Sequence, residues 1–417
     1  TESEVISINP KERKVTVNSK SQGVYQESYD YLILSPGAKV FCPNIPGINS
    51  DKVFRLRNIP DTDAIKSFID VRGIRSAVVI GGGFIGVEIA ENLVQRGVDV
   101  SLVELAPHIL AQFDEDMVAF LENEMIQKGV NLVLNTSVKA INEKGEAVEV
   151  VLSSEVKLSA DVVILATGVI PDTEFLKNSE IELGHKGHII VNEKMQTNID
   201  NIYAIGDAVE VVDFVNGKKA AIPLAGPANK QGRIAADNIA GIGSSYKGTQ
   251  GTSIIKVFDL TAASTGNNER TLTRLNIPYK TIYVHPYSHA TYYPGATPMT
   301  LKLLFNESGQ ILGAQGIGYD GVDKRIDIIA TVIRFRGTVN DLAELELSYA
   351  PPYSSAKDPV NMAGFVAQNY LAWMSHLITW SDFEQLKEDY ILVDVRTEAE
   401  YKKGHIEGAV NIPVDDI

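Results

Sequence analysis

Cysteine is almost absent from this sequence: Cys42 stands alone among 417 residues. An internal disulfide and a cysteine-rich metal site are therefore excluded. A reducing, cytoplasmic setting is the expectation from that count. Long apolar runs are missing too, and none approaches the ~18 residues of a membrane-spanning helix. Blocks of Lys or Arg are also missing. With 38 basic against 53 acidic residues the formal net charge is −15. Such a chain repels nucleic acid and anionic membrane surfaces, so neither is expected as a partner. His285 and His289 have no companion at metal-ligand spacing, and no metal site is expected. No repeat with a period of roughly 20–50 residues and no low-complexity tract is found. Thr1 to Pro10 lacks the basic flank and apolar core of a signal peptide.

What is present is a globular composition, 44% hydrophobic and 22% charged. That is enough for about three domains with packed cores. The first residue is Thr1 rather than Met, and the last ones follow a strand-like segment directly, so an internal fragment is expected. Residues 1–40 read as β-structure, ending with Tyr31-Leu32-Ile33-Leu34 and the turn Ser35-Pro36-Gly37-Ala38. Strand–helix–strand units run from about residue 75 to residue 170. A small-residue helix is expected from about Ala228 to Ala240. Residues 250–365 mix strands with an amphipathic helix carrying Val322, Ile326, Ile329, Ala330 and Ile333 at helical spacing. Lys324 and Arg325 are expected on that helix's exposed face. A further unit starts near Trp380, with a short helix through Phe383 and Leu386 and a strand over 390–393.

The strongest local signal is Ser76-Ala77-Val78-Val79-Ile80 followed by Gly81-Gly82-Gly83-Phe84-Ile85-Gly86. A parallel-type strand runs into G-x-G-x-x-G, with Gly81, Gly83 and Gly86 in the glycine positions. Gly81 permits the tight turn, Gly83 lets the backbone approach a pyrophosphate, and Gly86 lets helix and strand pack closely. The helix N-terminus supplies unpaired N–H groups. A second strand, Val98 to Val103, ends in Glu104, 18 residues beyond Gly86. A carboxylate there accepts from the adenosine ribose hydroxyls. Leu105, Ala106 and Pro107 offer no cation to a 2′-phosphate, which favours NADH over NADPH.

Two later segments suggest a second nucleotide. Asp161 to Leu165 is a buried strand running into Ala166-Thr167-Gly168, whose small residues admit a flat ligand; alone, it equally reads as an ordinary strand end. Thr197 precedes Ile202-Tyr203-Ala204-Ile205-Gly206-Asp207. Asp207 stands at the carboxyl end of a strand, where open α/β sheets bind ligands. Read by itself, Gly206-Asp207 is also compatible with a solvent-facing turn.

Taken in order, "SPGA", "VVIGGGFIGVE", "ILATGVIPD", "NIYAIGDA" and "PLAGPANKQGR" resemble the flavin-dependent pyridine nucleotide–disulfide oxidoreductases, in the branch of coenzyme A disulfide reductase and NADH oxidase. The resemblance covers about residues 1–370. It implies an α/β fold with two nested Rossmann-like nucleotide-binding domains and an α+β dimerisation domain. The FAD-binding domain is expected over residues 1–72 plus 192–246, with its N-terminal part missing. The NAD(P)H-binding domain is expected over 73–191 and the interface domain over 247–366. FAD contacts are implied for Gly168, Thr197, Ala204, Gly206, Asp207 and Ala225, with Asp207 taking a ribitol hydroxyl. Tyr349 and one of Tyr292 and Tyr293 are implied to reach the flavin and the substrate sulfur of the partner subunit in a homodimer. Tyr349 and Tyr292 are the implied catalytic candidates, with Tyr349 a flavin contact too. Tyr349 is equally an ordinary interface aromatic, and Tyr353 is read as one. Asn229 and Lys357 resemble coenzyme A contacts.

The family's redox cysteine belongs upstream of residue 1. Cys42, in Phe41-Cys42-Pro43, has no His nearby and is read as a linker residue. Residues 378–417, with Asp394-Val395-Arg396 and Gly404-His405-Ile406, resemble the first part of a rhodanese α/β domain. Asp394 and Arg396 are read as structural, and about 40 residues are too few to bury a core unaided. The reaction implied passes electrons from NAD(P)H through FAD to a cysteine-linked disulfide or persulfide of the coenzyme A type. The alternatives are an NADH oxidase or peroxidase of the same branch, or a non-catalytic nucleotide-binding fragment.

Overall fold

The computed structural model describes residues 2–386 and 390–417. It divides into two units, Thr1–Leu371 and Ala372–Ile417. Within the first, the centre is a five-stranded parallel sheet. Its order is Val53–Arg55, Val162–Leu165, Ser76–Ile80, Asp99–Val103 and Asn131–Val133. The strand Ser76–Ile80 lies in the middle and is apolar after its first residue, as a strand covered on both faces requires. Successive residues serve opposite faces. Ala77 and Val79 join a core built with the helices Phe84–Gln95 and Glu115–Gln127. Val78 and Ile80 join another with Val138, Ile141, Val148, Val150 and Ala160, which come from a three-stranded antiparallel sheet.

The nested topology is visible in two pairings. Leu32–Leu34 pairs in parallel with Ile202–Ala204, so residues far apart in sequence share one sheet. Ala38–Val40, leaving that sheet, pairs antiparallel with Val169–Pro171, which returns to it. The small-residue helix starts three residues earlier than expected and spans Ala225–Ile239.

Residues beyond 250 form a five-stranded antiparallel sheet in the order Ser253–Val257, Leu260–Gly266, Ile311–Gly318, Met299–Phe305, Lys280–Val284. The helices Val322–Arg334 and Pro359–Leu371 pack into its core through Ile326, Ile329, Ile333, Val360, Ala363 and Ala367. The expected inward stripe of the first of these helices is confirmed, but the placement of Arg325 is corrected. Arg325 is buried, at 1% exposure, because Asp358 is buried against it. Lys324 is partly exposed.

In the second unit the strand is Val393–Asp394 rather than 390–393; it pairs in parallel with Val410–Asn411. The short helix is Trp380–Glu384, and Leu386 lies past its end. Asp394 accepts from Arg396 Nε and Nη2 at 3.0 and 2.6 Å, and Arg396 reaches on to the Gly404 carbonyl. Among the described residues of this unit only Ala409 is buried. So small an apolar interior contributes little burial free energy. Among all described residues, no helix is long and apolar enough to cross a membrane.

Candidate functional site

The glycine-rich turn is built as its residue types require. Gly81 has φ +110°, a conformation costly for any other residue, and a Cβ there would stand 2.3 Å from the Ala166 carbonyl oxygen. A Cβ on Gly86 would stand 1.8 Å from the Gly81 carbonyl oxygen, so helix and strand are in contact at this point. Gly83 differs. It is the N-cap of Phe84–Gln95, and nothing lies within 4 Å of where its Cβ would be. That helix has no side-chain cap and no acidic residue in its first turn. Its first N–H groups and positive dipole end thus face open space beside Gly83.

Glu104 closes the same site. One carboxylate oxygen accepts from the Gly82 N–H at 2.5 Å, and the other from the Ala106 N–H at 2.7 Å. A carboxylate has about four acceptor sites, so about two remain for hydroxyls. Closed packing behind the turn, open space before it, free N–H groups and a half-used carboxylate fit a dinucleotide.

Around Asp207 a second group converges. Ile202–Ala204 runs into the short turn Gly206–Ala208. The Gly206 N–H donates to Gln231 Oε1 at 2.7 Å, and Gln231 is buried on the helix Ala225–Ile239. The Asp207 carboxylate lies 3.3 Å from Arg57 Nη2, and Arg57 Nε donates to the Ala38 carbonyl. Ala204 is fully buried in its strand. Thr197 is buried too, and its hydroxyl is within hydrogen-bond distance of the Ile199 and Ile202 carbonyls of its own loop. Ala225 and Asn229 are exposed on the first turns of their helix, where Asn229 donates to the Ala225 carbonyl. Gly168 is exposed, and its carbonyl accepts from the Phe41 N–H. Cys42, next in sequence, donates weakly to the Val40 carbonyl. The partly exposed carboxylate of Asp207 and the open glycines at 168 and 206 fit one side of a flavin nucleotide. Arg57 and Gln231 were missed. Gln231 stands inside "PLAGPANKQGR", but nothing in the sequence pairs Arg57 with Asp207.

The third group is aromatic. Tyr292 Oη and Tyr349 Oη are 2.8 Å apart, although 57 residues separate them. That contact, with slight desolvation, holds the Tyr292 phenol above its ordinary pKa. Both side chains are exposed, as are Tyr293 and Tyr353. Lys357 is exposed on the segment that carries Tyr349, and it is not hydrogen-bonded to Asn229. Among the described residues no group of His, Cys, Asp or Glu could hold a metal ion.

A buried cation links the start of the helix Glu115–Gln127 to the antiparallel sheet. Lys302 is fully buried and lies 3.1 Å from Asp114, 2.8 Å from Asp116 and 3.3 Å from Glu269. Burial alone would lower its pKa, but the three carboxylates outweigh it and raise it. Glu269 is raised, chiefly by burial. Tyr283 is raised by burial and by its hydrogen bond to Asp116.

Residues 1–232 match the family of the pyridine nucleotide-disulphide oxidoreductases. Residues 252–359 match that family's dimerisation domain, and 379–417 a rhodanese-like domain. A coenzyme A disulfide reductase of Staphylococcus aureus (strain Mu3) is 39% identical over 368 residues, 88% of this chain and 82% of that protein. An NADH oxidase of Methanocaldococcus jannaschii is 37% identical over 364 residues, 87% of this chain and 81% of that protein. Among solved structures, reduced Bacillus anthracis CoADR-RHD superposes with a TM-score of 0.96 at 51% identity. That match covers 99% of this chain and 75% of the other.

Proposed function

The chain belongs to the pyridine nucleotide-disulphide oxidoreductase family, and from that premise we propose that the full-length protein delivers electrons from NAD(P)H, with NADH favoured, by way of FAD and a redox cysteine outside these residues to a coenzyme A disulfide or persulfide. FAD, when bound, supplies two-electron chemistry between a nicotinamide and a sulfur centre. This chain's own residues bind and orient. Gly83 and the helix behind it receive the NADH pyrophosphate, while Glu104 accepts from the adenosine ribose. Asp207, steadied by Arg57, accepts a ribitol hydroxyl, with Gly168, Gly206 and the helix starting at Ala225 around it.

The observation that carries the sulfur substrate is the Tyr292–Tyr349 contact. Two phenols share one hydrogen bond, so one O–H is left to donate outward. A donor placed there stabilises a thiolate as it leaves a disulfide, and the conjugate thiol's charge needs that help in proportion to its pKa. Lys357 and Asn229 are proposed to meet the phosphate-rich part of a coenzyme A substrate. The rhodanese-like unit supports persulfide or disulfide chemistry over oxygen reduction. We further assign residues 1–72 with 192–246, 73–191, 247–366 and 378–417 to FAD-binding, NAD(P)H-binding, dimerisation and partial rhodanese domains. A cytoplasmic homodimer fits the dimerisation-domain match and the single cysteine.

The test is a steady-state comparison on the full-length protein with NADH against coenzyme A disulfide, coenzyme A persulfide, peroxide and oxygen. Turnover on either sulfur substrate well above that on oxygen is expected. Turnover confined to oxygen or peroxide overturns the reading.

A further inference from the structure

The buried pair Arg325–Asp358 takes no part in the contacts proposed above, yet its hydrogen bonds end on the two segments that carry the phenols. Arg325 is 1% exposed and Asp358 2%. The guanidinium donates to the Ser288 carbonyl at 2.8 Å and the Ser354 hydroxyl at 3.2 Å. It also reaches both Asp358 oxygens, at 3.4 and 3.1 Å. Ser354 donates its hydroxyl to Asp358 at 2.6 Å, and the Ala290 N–H donates to the Ser354 carbonyl at 3.1 Å. Ser288 precedes Tyr292 by four residues, and Ser354 follows Tyr349 by five.

The fold makes room for this group. Arg325 Nη1 also donates to the Gly321 carbonyl, and a Cβ on Gly321 would stand 2.3 Å from that nitrogen. An ion pair this deep gains little net stability, because both charges lose their water. What a planar guanidinium offers is several donors at fixed angles, which an ammonium does not reproduce. Within one protomer Tyr292 and Tyr349 are exposed, at 74% and 46%, so packing inside the protomer does not fix their separation. Within the protomer the ties between the two segments lie beneath the rings, in the Arg325 contacts and the Ala290–Ser354 backbone hydrogen bond.

We propose that Arg325, paired with Asp358, is a positioning residue: it clamps the 288–297 segment to the 349–358 segment and thereby sets the Tyr292–Tyr349 contact. The proposal rests on the reading that these phenols serve the reaction. Arg325 touches neither substrate nor cofactor and acts through the backbone. The same clamp sets the base of Lys357, the residue next to Asp358.

The test uses the full-length flavoenzyme labelled with [ζ-13C]tyrosine, the Tyr292 resonance being assigned with Tyr292→Phe. Tyr349→Phe removes the partner and shifts that resonance. Arg325→Lys keeps a charge beside Asp358 but cannot reach Ser288 and Ser354 together. It is expected to shift the Tyr292 resonance to the position seen in Tyr349→Phe. It is also expected to lower kcat by about 10- to 100-fold, the scale of a misplacement near 1 Å. Adding Tyr349→Phe to Arg325→Lys changes kcat by less than about twofold further, because the two act through one contact. A Tyr292 resonance left at its wild-type position, or losses that multiply in the double variant, overturns the proposal. A shifted resonance with unchanged turnover in every variant supports the clamp and removes the phenols from the reaction. If Arg325→Lys does not fold, Ser354→Ala keeps the ion pair and cuts one tie, and the same resonance and kinetic criteria decide.

Discussion

Replacing Glu104 by alanine tests the proposed nucleotide site at its carboxylate. The carboxylate does two jobs. It holds the turn together, one oxygen accepting from Gly82 at 2.5 Å and the other from Ala106 at 2.7 Å. On the proposed reading, its remaining acceptor positions serve the ribose. A hydrogen bond to an ionised acceptor contributes about 1.5–3 kcal/mol. Losing the ribose contact therefore weakens NADH binding by about 10- to 150-fold. Glu104→Gln separates charge from shape. Its amide oxygen can serve one N–H, but its NH2 then faces the other, donor against donor. Glutamine is thus expected to bind NADH nearly as weakly as alanine. NADPH behaves oppositely, because the carboxylate repels a 2′-phosphate and Glu104→Ala relieves that repulsion. Calorimetric or fluorescence titration with both nucleotides reads the outcome. An NADH affinity changed less than twofold, or NADH and NADPH weakened alike, refutes the assignment.

Two glycines in one motif should fail in different ways. Gly86→Ala drives a Cβ to 1.8 Å from the Gly81 carbonyl and should cost about 3 kcal/mol or more, read as a lowered unfolding midpoint. Gly83→Ala meets nothing within 4 Å, so its midpoint should hold while NADH affinity falls by at least about tenfold. Lys302→Met leaves Asp114, Asp116 and Glu269 without their cation; breaking such a buried group should cost about 3–5 kcal/mol in urea unfolding, and a loss under about 1 kcal/mol would argue that the cluster rearranges. In the rhodanese-like unit, hydrogen bonds from Arg396 push the Asp394 carboxyl down to about 2. Its contribution is complete above the ordinary carboxylate value of ~3.9 and disappears as pH falls through about 2. A carboxyl 13C titration with a midpoint near 4 would contradict it.

The parts of the site that sequence made legible are those where geometry demands a residue type. Gly81 and Gly86 have no room for a side chain, so the demand shows as glycine at fixed spacing. Glu104 ends a strand beside that turn, and strand ends are set by the same repeat. The alternation of Ala77 and Val79 against Val78 and Ile80 needs apolar residues on both faces, and a continuous apolar run records that need. Arg57 was not legible. Its partner Asp207 lies 150 residues away, and the nesting that brings them together leaves no local trace. The helix begins at Ala225, three residues before the expected Ala228, and takes Gly226 and Pro227 into its first turn. Proline is tolerated in a first turn, where its missing N–H has no helical partner to lose.

Arg325 and Lys302, both fully buried, show where residue type and position gave opposite instructions. Arg325 lies three residues after Val322 and four before Ile329, both buried. Those intervals put it on the inward stripe of its helix. Its charge alone assigned it outward, and the interval was the better guide. Lys302 is the same case in a strand, the middle residue of Met299–Phe305, where every residue is buried. A charge inside such a run is tolerated only if counter-charges meet it, because an unpaired buried ion is far too costly. For Arg325 the counter-charge is Asp358, and for Lys302 it is Asp114, Asp116 and Glu269. Each partner comes from another element, so one segment's sequence holds only half of the arrangement. A charge at an interior position of an apolar pattern therefore implies a distant opposite charge. At Arg325 that requirement binds together the two segments on which the phenols stand.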